Sequence, residues 1–388
     1  MVPRRGLAEV LRTFGPVYLA THALTVTEAK AWRAIVACRT AALGGHVECC
    51  DQCGATRHVY HSCRNRHCPL CQTRAKEAWL AARRRELLPV PYFHLVFTLP
   101  HALNGLVGRH ARAIYECLFA AVSGTLTQFA ADPRHLGGEP AFSLVLHTWK
   151  QDLGRHVHVH ALVAGGALTA AAEWVRPSRG FLFPVKALSA VFRGKFIAEL
   201  ERERTNGRLR PDVTLTDTDW PLLKRQLYVH DWVVYAKEPL GGPAQVLEYL
   251  GRYTHRVAIS NERIVGIDQG EVAFRVRVNS EGGKRRTMRL AGSEFIDRFL
   301  RHVLPRGFKR IRHYGLLGPA HKAARLAAAR AALGAPQPEA KVIESVAAFM
   351  QRVAHIEWAA CPTCRRGQFT LVQAIPPQSR WQPLHGPP

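Results

Sequence analysis

The sequence predicts an α+β fold, and three features predict it. Short apolar runs of strand length are interspersed with helical patterns across residues 88–290. Helical periodicity governs residues 1–40 and returns in an Ala-rich stretch at 320–333. Between the first helices and the mixed core, residues 44–75 are rich in Cys, His and Arg. That segment has too few apolar side chains to fold without a staple. The length of 388 residues suits two or three units. The expected division is 1–85, helical and zinc-binding; 86–315, the mixed core; and 316–388, a helical region with a CxxC and a loose tail.

Taken in order, Leu7, Val10, Leu11 and Phe14 give the first helix its apolar stripe. A basic helical stretch around Arg83–Arg85 precedes a strand over Tyr92–Thr98, bounded by Pro91 and Pro100. A helix at 109–130 leads to two strands, Phe142–Thr148 and His156–Val163, the second ending at Gly165-Gly166. A helix is expected at 186–203 and a strand at Tyr228–Ala236. Gly241-Gly242-Pro243 opens a helix from Ala244 to Tyr253. Short strands follow at Val257–Ile259, Ile264–Ile267, Val272–Val278 and Thr287–Leu290, then a helix at 293–303. Pro and Gly rise after residue 334, and the tail from Pro376 reads as disordered. No internal repeat is visible.

The charge balance narrows the partner. Lys and Arg number 54 against 29 Asp and Glu, a net of +25, with a pI near 10.3. Such a field attracts polyanions, so nucleic acid is the expected partner. No apolar run approaches the ~18 residues of a membrane span, and no secretory leader is seen, so a cytoplasmic, nucleoid-associated protein is expected.

Six of the ten cysteines fall between Cys49 and Cys71. Clustered cysteines in an intracellular protein point to metal ligation rather than disulfides. Cys50-x2-Cys53 and Cys68-x2-Cys71 match zinc-ribbon spacing, each knuckle giving two thiolates to one tetrahedral structural Zn²⁺. Cys63 and His67 are further ligand candidates; Cys49, beside Cys50, cannot easily face the same ion. Arg64 and Arg66 make the knuckle basic, fitting it for DNA. Cys361-Pro-Thr-Cys364 is a lone CxxC with three readings open: a half-site, a small zinc domain of its own, or coincidence.

His156-Val-His158-Val-His160 is the most informative line. Alternate residues of a strand share a face, so the three imidazoles project together while the valines enter the core. Neighbouring pairs lie ~7 Å apart along the backbone, close enough for two rings to meet on one ion; the outer pair, ~13 Å apart, is not. The plain alternative is a strand face of satisfied histidines. The third ligand is expected to be Gln151, with Asp152 and His147 behind it. Two histidines and one oxygen suit Mg²⁺ or Mn²⁺ beside phosphate.

Tyr249-x3-Tyr253 stacks two phenols on one helical face. Alone, such a pair is usually packing. A phenol of pKa ~10 needs metal assistance to act as a nucleophile on phosphate. Arg252 and Arg256 lie beside the pair to neutralise oxyanions. Arg298, Arg301, Arg306, Lys309, Arg310 and Arg312 have no acidic neighbour in 298–312 and read as a DNA-backbone surface.

With those residues in hand, the chain resembles the HUH endonuclease superfamily. More narrowly it resembles the two-tyrosine rolling-circle transposases of bacterial insertion sequences, the insertion-sequence ninety-one family. The matching stretches are Ser62–Cys71, His147–Gln151, His156–His160, Tyr249–Asn261 and Leu304–Leu317. The resemblance implies an antiparallel sheet flanked by helices, with the histidines on a central strand and the tyrosines on a flanking helix. It makes His158 and His160 metal ligands and Tyr249 and Tyr253 nucleophiles. The implied partners are single-stranded DNA at element ends, target DNA, and a host helicase, since no GxxxxGK[ST] motif is present. Two rivals remain open at this point: a replication initiator or relaxase with the same chemistry, and a non-catalytic zinc DNA-binding protein.

Overall fold

A computed structural model describes residues 6–378, except 179, 210–215, 217–218, 241–244, 247–250, 252–257, 279–283, 339–343, 356 and 359. Its centre is an antiparallel sheet of β3 (Tyr92–Thr98), β4 (Glu139–Trp149), β5 (Arg155–Leu168), β7 (Val234–Leu240) and β11 (Ile311–Gly315), in the order β11-β4-β5-β3-β7. A short β6 (Trp174–Val175) pairs with the far end of β5. The α+β prediction holds, and β5 is the middle strand.

The two faces of this sheet are chemically distinct, as strand alternation requires. Val157, Val159, Ala161 and Val163 of β5 join Phe93, Leu95 and Phe97 of β3 and Phe142, Leu144 and Leu146 of β4 in one buried cluster. Two helices cover that face, α4 (Asn104–Ala131) and α5 (Val185–Thr205), through Ile114, Leu118, Val122, Phe192 and Phe196. Phe97 is fully buried, edge-on to Phe192 at 5.2 Å. The rigidity of β5 comes from here. Its other face carries the histidines.

Two smaller sheets flank the centre. One is ordered β12-β1-β2, from β1 (Gly45–Cys50), β2 (Thr56–Tyr60) and β12 (Phe369–Ile375). The other is β10-β9-β8, from β8 (Ile264–Asp268), β9 (Glu271–Val278) and β10 (Lys284–Ala291). The N-terminal helices α1 (Leu7–Thr21) and α2 (Val26–Ala37) share a buried cluster with α7 (Gly292–Leu300) and β9: Leu7, Leu11, Trp32 and Ile35 meet Phe274, Phe295 and Phe299.

These contacts cross the expected division at residues 85 and 315. The first helices pack with the last part of the 86–315 span, and a strand of the 316–388 span completes the N-terminal sheet. The C-terminal region is also not wholly helical: besides α8 (Lys322–Ala332) and α9 (Val346–Ala354) it contributes β12. The strand expected at Tyr228–Ala236 begins only at Val234, because Tyr228 and Val229 end a helix, α6 (Asp219–Val229). Most of the expected helix over Ala244–Tyr253, the start of the strand expected at Val257, and the tail beyond residue 378 lie outside the described residues.

Candidate metal and DNA-processing site

Three imidazoles meet on the open face of the central sheet. His158 and His160 alternate on β5, and the β4–β5 hairpin sets His147 directly opposite His158. Nε2 of His160 lies 3.1 Å from Nε2 of His158 and 3.1 Å from Nδ1 of His147. Right-angle ligands ~2.1 Å from an octahedral ion stand ~3.0 Å apart, so the donor set fits one divalent cation. His147 is the third donor that the fold brings to the pair. Gln151, the first expectation, is exposed in the turn after β4, and its carbonyl accepts from Arg263. The turn at Lys150–Gly154 already implied the pairing of His147 with His158, and this is the signal the sequence reading passed over.

The protonation of these rings is set by their surroundings. Burial, followed by the neighbouring His156, lowers the His158 pKa to about 4. His160 is held well below the usual histidine range by burial and by the adjacent His147, His158 and His94. Neutral rings are what a cation needs. Nδ1–H of His158 donates to the His156 carbonyl at 2.9 Å, which leaves Nε2 as a lone pair. Nδ1 of His160 faces Nε2 of His94 at 2.9 Å. The tautomer that donates from His160 to His94 likewise frees Nε2 toward the cluster. His94 is buried on β3 and stacks on His160 at 5.1 Å; the sequence reading missed it. His156, at the outer end of the row, pairs instead with His101 at 3.4 Å.

The cysteines form two groups, not one. Cys38, Cys63, Cys68 and Cys71 bring their sulfurs within 4.8 Å of one another; so, separately, do Cys50, Cys53, Cys361 and Cys364. The expected site of Cys50, Cys53, Cys68 and Cys71 is thus split, each pair finding different partners. Cys63 joins as anticipated, and Cys38, at the end of α2, is the ligand without a motif. His67 does not join: its Nε2 accepts from the Leu304 N–H at 3.1 Å and its Nδ1 faces Asn65 Oδ1 at 3.2 Å. Cys49 stays out, its thiol directed to backbone carbonyls.

Several expected DNA-binding cations turn inward. Arg66 donates to the carbonyls of Leu304, Pro305 and Phe308. Arg312 makes a two-pronged pair with Glu116 at 2.6 and 2.8 Å and lies over the Phe119 ring at 4.2 Å. Arg310 is half-buried, and burial with the neighbouring Arg66 lowers its pKa to about 10. Arg298 and Arg301 pair with Glu294 and Asp297, one helical turn back and outside the 298–312 window. Arg64, Arg306 and Lys309 remain exposed. Tyr249, Tyr253, Arg252 and Arg256 lie outside the described residues. Of the described residues nearby in sequence, Val246 is buried in the cluster holding Leu162 and Ala164 on the histidine face, and a Cβ on Gly251 would meet Leu80 and Lys76 of α3 (Gln72–Arg84) at 3.0 and 2.9 Å.

A family model described as "Putative transposase" matches residues 142–325, from β4 to α8. A second, described as "Transposase zinc-binding domain", matches residues 10–99. A putative transposase of Sinorhizobium fredii is 43% identical over 376 residues, covering 95% of this chain and 94% of the relative. The chain belongs to the IS91 family of insertion-sequence transposases. The transposase of insertion sequence element IS801 from Pseudomonas savastanoi pv. phaseolicola is 26% identical over 293 residues, covering 73% of this chain and 68% of that protein. No solved structure matches. The zinc-binding match and the thiol clusters support structural zinc in this transposase. Among the described residues, no helix is long and apolar enough to cross a membrane.

Proposed function

We propose that this transposase cuts and rejoins single-stranded DNA through tyrosine nucleophiles beside a histidine-held divalent ion, as a rolling-circle element requires. The observation that carries the reading is the convergence of His147, His158 and His160 on the sheet face over which Val246 is buried, three residues before Tyr249. A divalent ion on these rings supplies withdrawal of charge from the scissile phosphate. An all-imidazole set disfavours oxygen-seeking Mg²⁺ relative to softer ions, so Mn²⁺ is the better activator.

The chain's own residues do the rest. The oxygen of Tyr249 or Tyr253 bonds to phosphorus as the bond from phosphorus to the 3′ oxygen of the preceding nucleotide breaks. The phenol proton is lost to solvent and the departing oxygen gains one, leaving a 5′-phosphotyrosine and a free 3′-OH. Attack by a 3′-OH on that link reverses the step and joins strands without ATP. The second tyrosine makes the second cut while the first strand stays attached. Arg252 and Arg256, next to the tyrosines in sequence, are the candidates to neutralise the phosphate charge. Strand separation falls to a host helicase.

DNA approaches over basic surfaces that keep their charge. Arg275 and Arg277 of β9 and Arg285 of β10 are exposed, Arg277 lies opposite Arg285, and none has an acidic partner among the described residues. Like charges opposite one another cost stability in a sheet, which a phosphate backbone would relieve.

The test is incubation with end-labelled single-stranded element DNA and Mn²⁺. A denaturant-resistant adduct should form with the 5′ end of the fragment on the 3′ side of the cut, and should be lost with EDTA or in the Tyr249→Phe/Tyr253→Phe double variant. An undiminished adduct in that variant refutes the reading.

A further inference from the structure

The second group of thiols joins opposite ends of the chain. Cys50 closes β1 and Cys53 sits in the turn after it; Cys361 and Cys364 span a turn just ahead of β12. Sγ of Cys50 is 3.7 Å from that of Cys364, and Sγ of Cys53 is 3.7 Å from that of Cys361, partners 308 residues apart in sequence. Four sulfurs ~2.3 Å from a tetrahedral Zn²⁺ stand ~3.8 Å apart. A disulfide would need ~2.05 Å. The matched zinc-binding segment, residues 10–99, ends far short of Cys361.

We propose that Cys50, Cys53, Cys361 and Cys364 bind a second zinc ion, independent of the one on Cys38, Cys63, Cys68 and Cys71, and that it clasps the C-terminal segment 361–375 onto the N-terminal hairpin. Both knuckles are built for thiolates. The Gly367 N–H donates to Sγ of Cys364 at 3.3 Å, and a Cβ on Gly367 would stand 2.4 Å from Sγ of Cys50. Only glycine lets that backbone come so close. The knuckles are tied by Gln368 N–H donating to Asp51 Oδ1 at 2.9 Å and Asp51 N–H donating to the Gln368 carbonyl at 3.1 Å.

The sheet explains why the clasp is needed. β1 is its middle strand, paired with β2 on one side and β12 on the other. Without β12 only a two-stranded hairpin remains, marginal by itself in water. The apolar cover is thin: Leu371 and Val372 of β12 are 66% and 56% exposed. Arg57 of β2 reaches the same segment, lying 3.9 Å over the Phe369 ring and 4.3 Å over Trp358. A metal that closes a loop of this length removes more freedom from the unfolded chain than a local staple does.

Metal content by mass spectrometry decides the matter on the full-length chain purified under reducing conditions. The native chain should hold two zinc equivalents. Cys361→Ser with Cys364→Ser should hold one, and Cys38→Ser with Cys63→Ser should hold the other one. One equivalent in the native chain, or two retained after loss of Cys361 and Cys364, overturns the proposal. Should either variant fail to fold, alkylation of the native chain during slow chelation gives the same answer. Cys50, Cys53, Cys361 and Cys364 should become reactive together, in a phase distinct from Cys38, Cys63, Cys68 and Cys71. Reaction of Cys361 while Cys50 stays protected, or a Cys50–Cys364 disulfide, overturns it.

Discussion

At the scale of single residues, the site is governed by what stands behind its ligands. His94 stands behind His160, its Nε2 2.9 Å from Nδ1 of that ring, and as the acceptor it would leave Nε2 of His160 for the proposed ion. His94→Ala should weaken Mn²⁺ binding about 10–100-fold. The rate of adduct formation at saturating Mn²⁺ should stay near the native value. His94→Gln, which keeps an acceptor, should recover part of the affinity. An Mn²⁺ titration of adduct yield separates the two effects, and an equal loss at saturating metal would make His94 more than a positioning residue. His67 makes a different point. It binds as a neutral ring between Asn65 and the Leu304 N–H, and burial, then Arg66 and Arg310, lower its pKa to about 3. A depressed pKa gives stability that is present above the unfolded value of ~6.5 and lost as pH falls toward the folded one. His67→Asn should therefore cost stability at pH 7, with the gap from the native chain shrinking between pH 6.5 and 3. Denaturant midpoints across that range measure it; a gap constant with pH refutes it.

At the scale of elements, docking contacts override intrinsic preference. Gly292 starts α7, where alanine would ordinarily gain about 0.5–1 kcal/mol. Here the new Cβ would lie 2.1 Å from Cγ of Phe14 on α1. Overpacking of that kind costs about 1–3 kcal/mol, so Gly292→Ala should lower the urea midpoint. Phe14→Leu combined with it should cost less than the sum of the two changes, because the neighbours share one contact. Additive losses would mean that the helices do not meet here. Elements were legible where a local signal sufficed. Pro91 and Pro100 bracket β3, and the His-Val alternation marks β5. The start of α6 also had a local signal: Thr216 accepts from Asp219 N–H at its hydroxyl, and Thr216 N–H donates back to Asp219 at 2.9 Å, a capping pair written in the sequence as Thr-x-x-Asp. The apolar run Tyr228–Ala236 masks that signal, because its first two residues end the helix and only Val234 onward is strand. β12 was not anticipated, and its pairing with β1 has no local trace. The three CxxC pairs were visible, but one sequence does not tell which knuckle faces which.

For the whole molecule, net charge gave the class of partner but not the surface that meets it. A run of cations in sequence is a poor guide, because folding brings acids from elsewhere. Arg312, which looked free, has Glu116, 196 residues away in sequence, on both of its nitrogens. Arg277 and Arg285, which stood out less, are exposed opposite each other on neighbouring strands, with no acidic partner among the described residues. Counterion release turns that contrast into numbers. Each side chain that neutralises a DNA phosphate contributes about one unit to the slope of log affinity against log salt. Arg277→Ala and Arg285→Ala should each flatten the slope for single-stranded DNA by about 0.7 and leave the melting temperature unchanged or slightly raised, since a like-charge pair is relieved. Arg312→Ala should do the opposite, lowering the melting temperature while keeping the slope, because it strands Glu116 and uncovers Phe119. Binding isotherms from 50 to about 200 mM salt, with thermal melts of the same samples, read both quantities. If Arg312 changes the slope and the β9–β10 arginines do not, the DNA runs over the other side of the sheet.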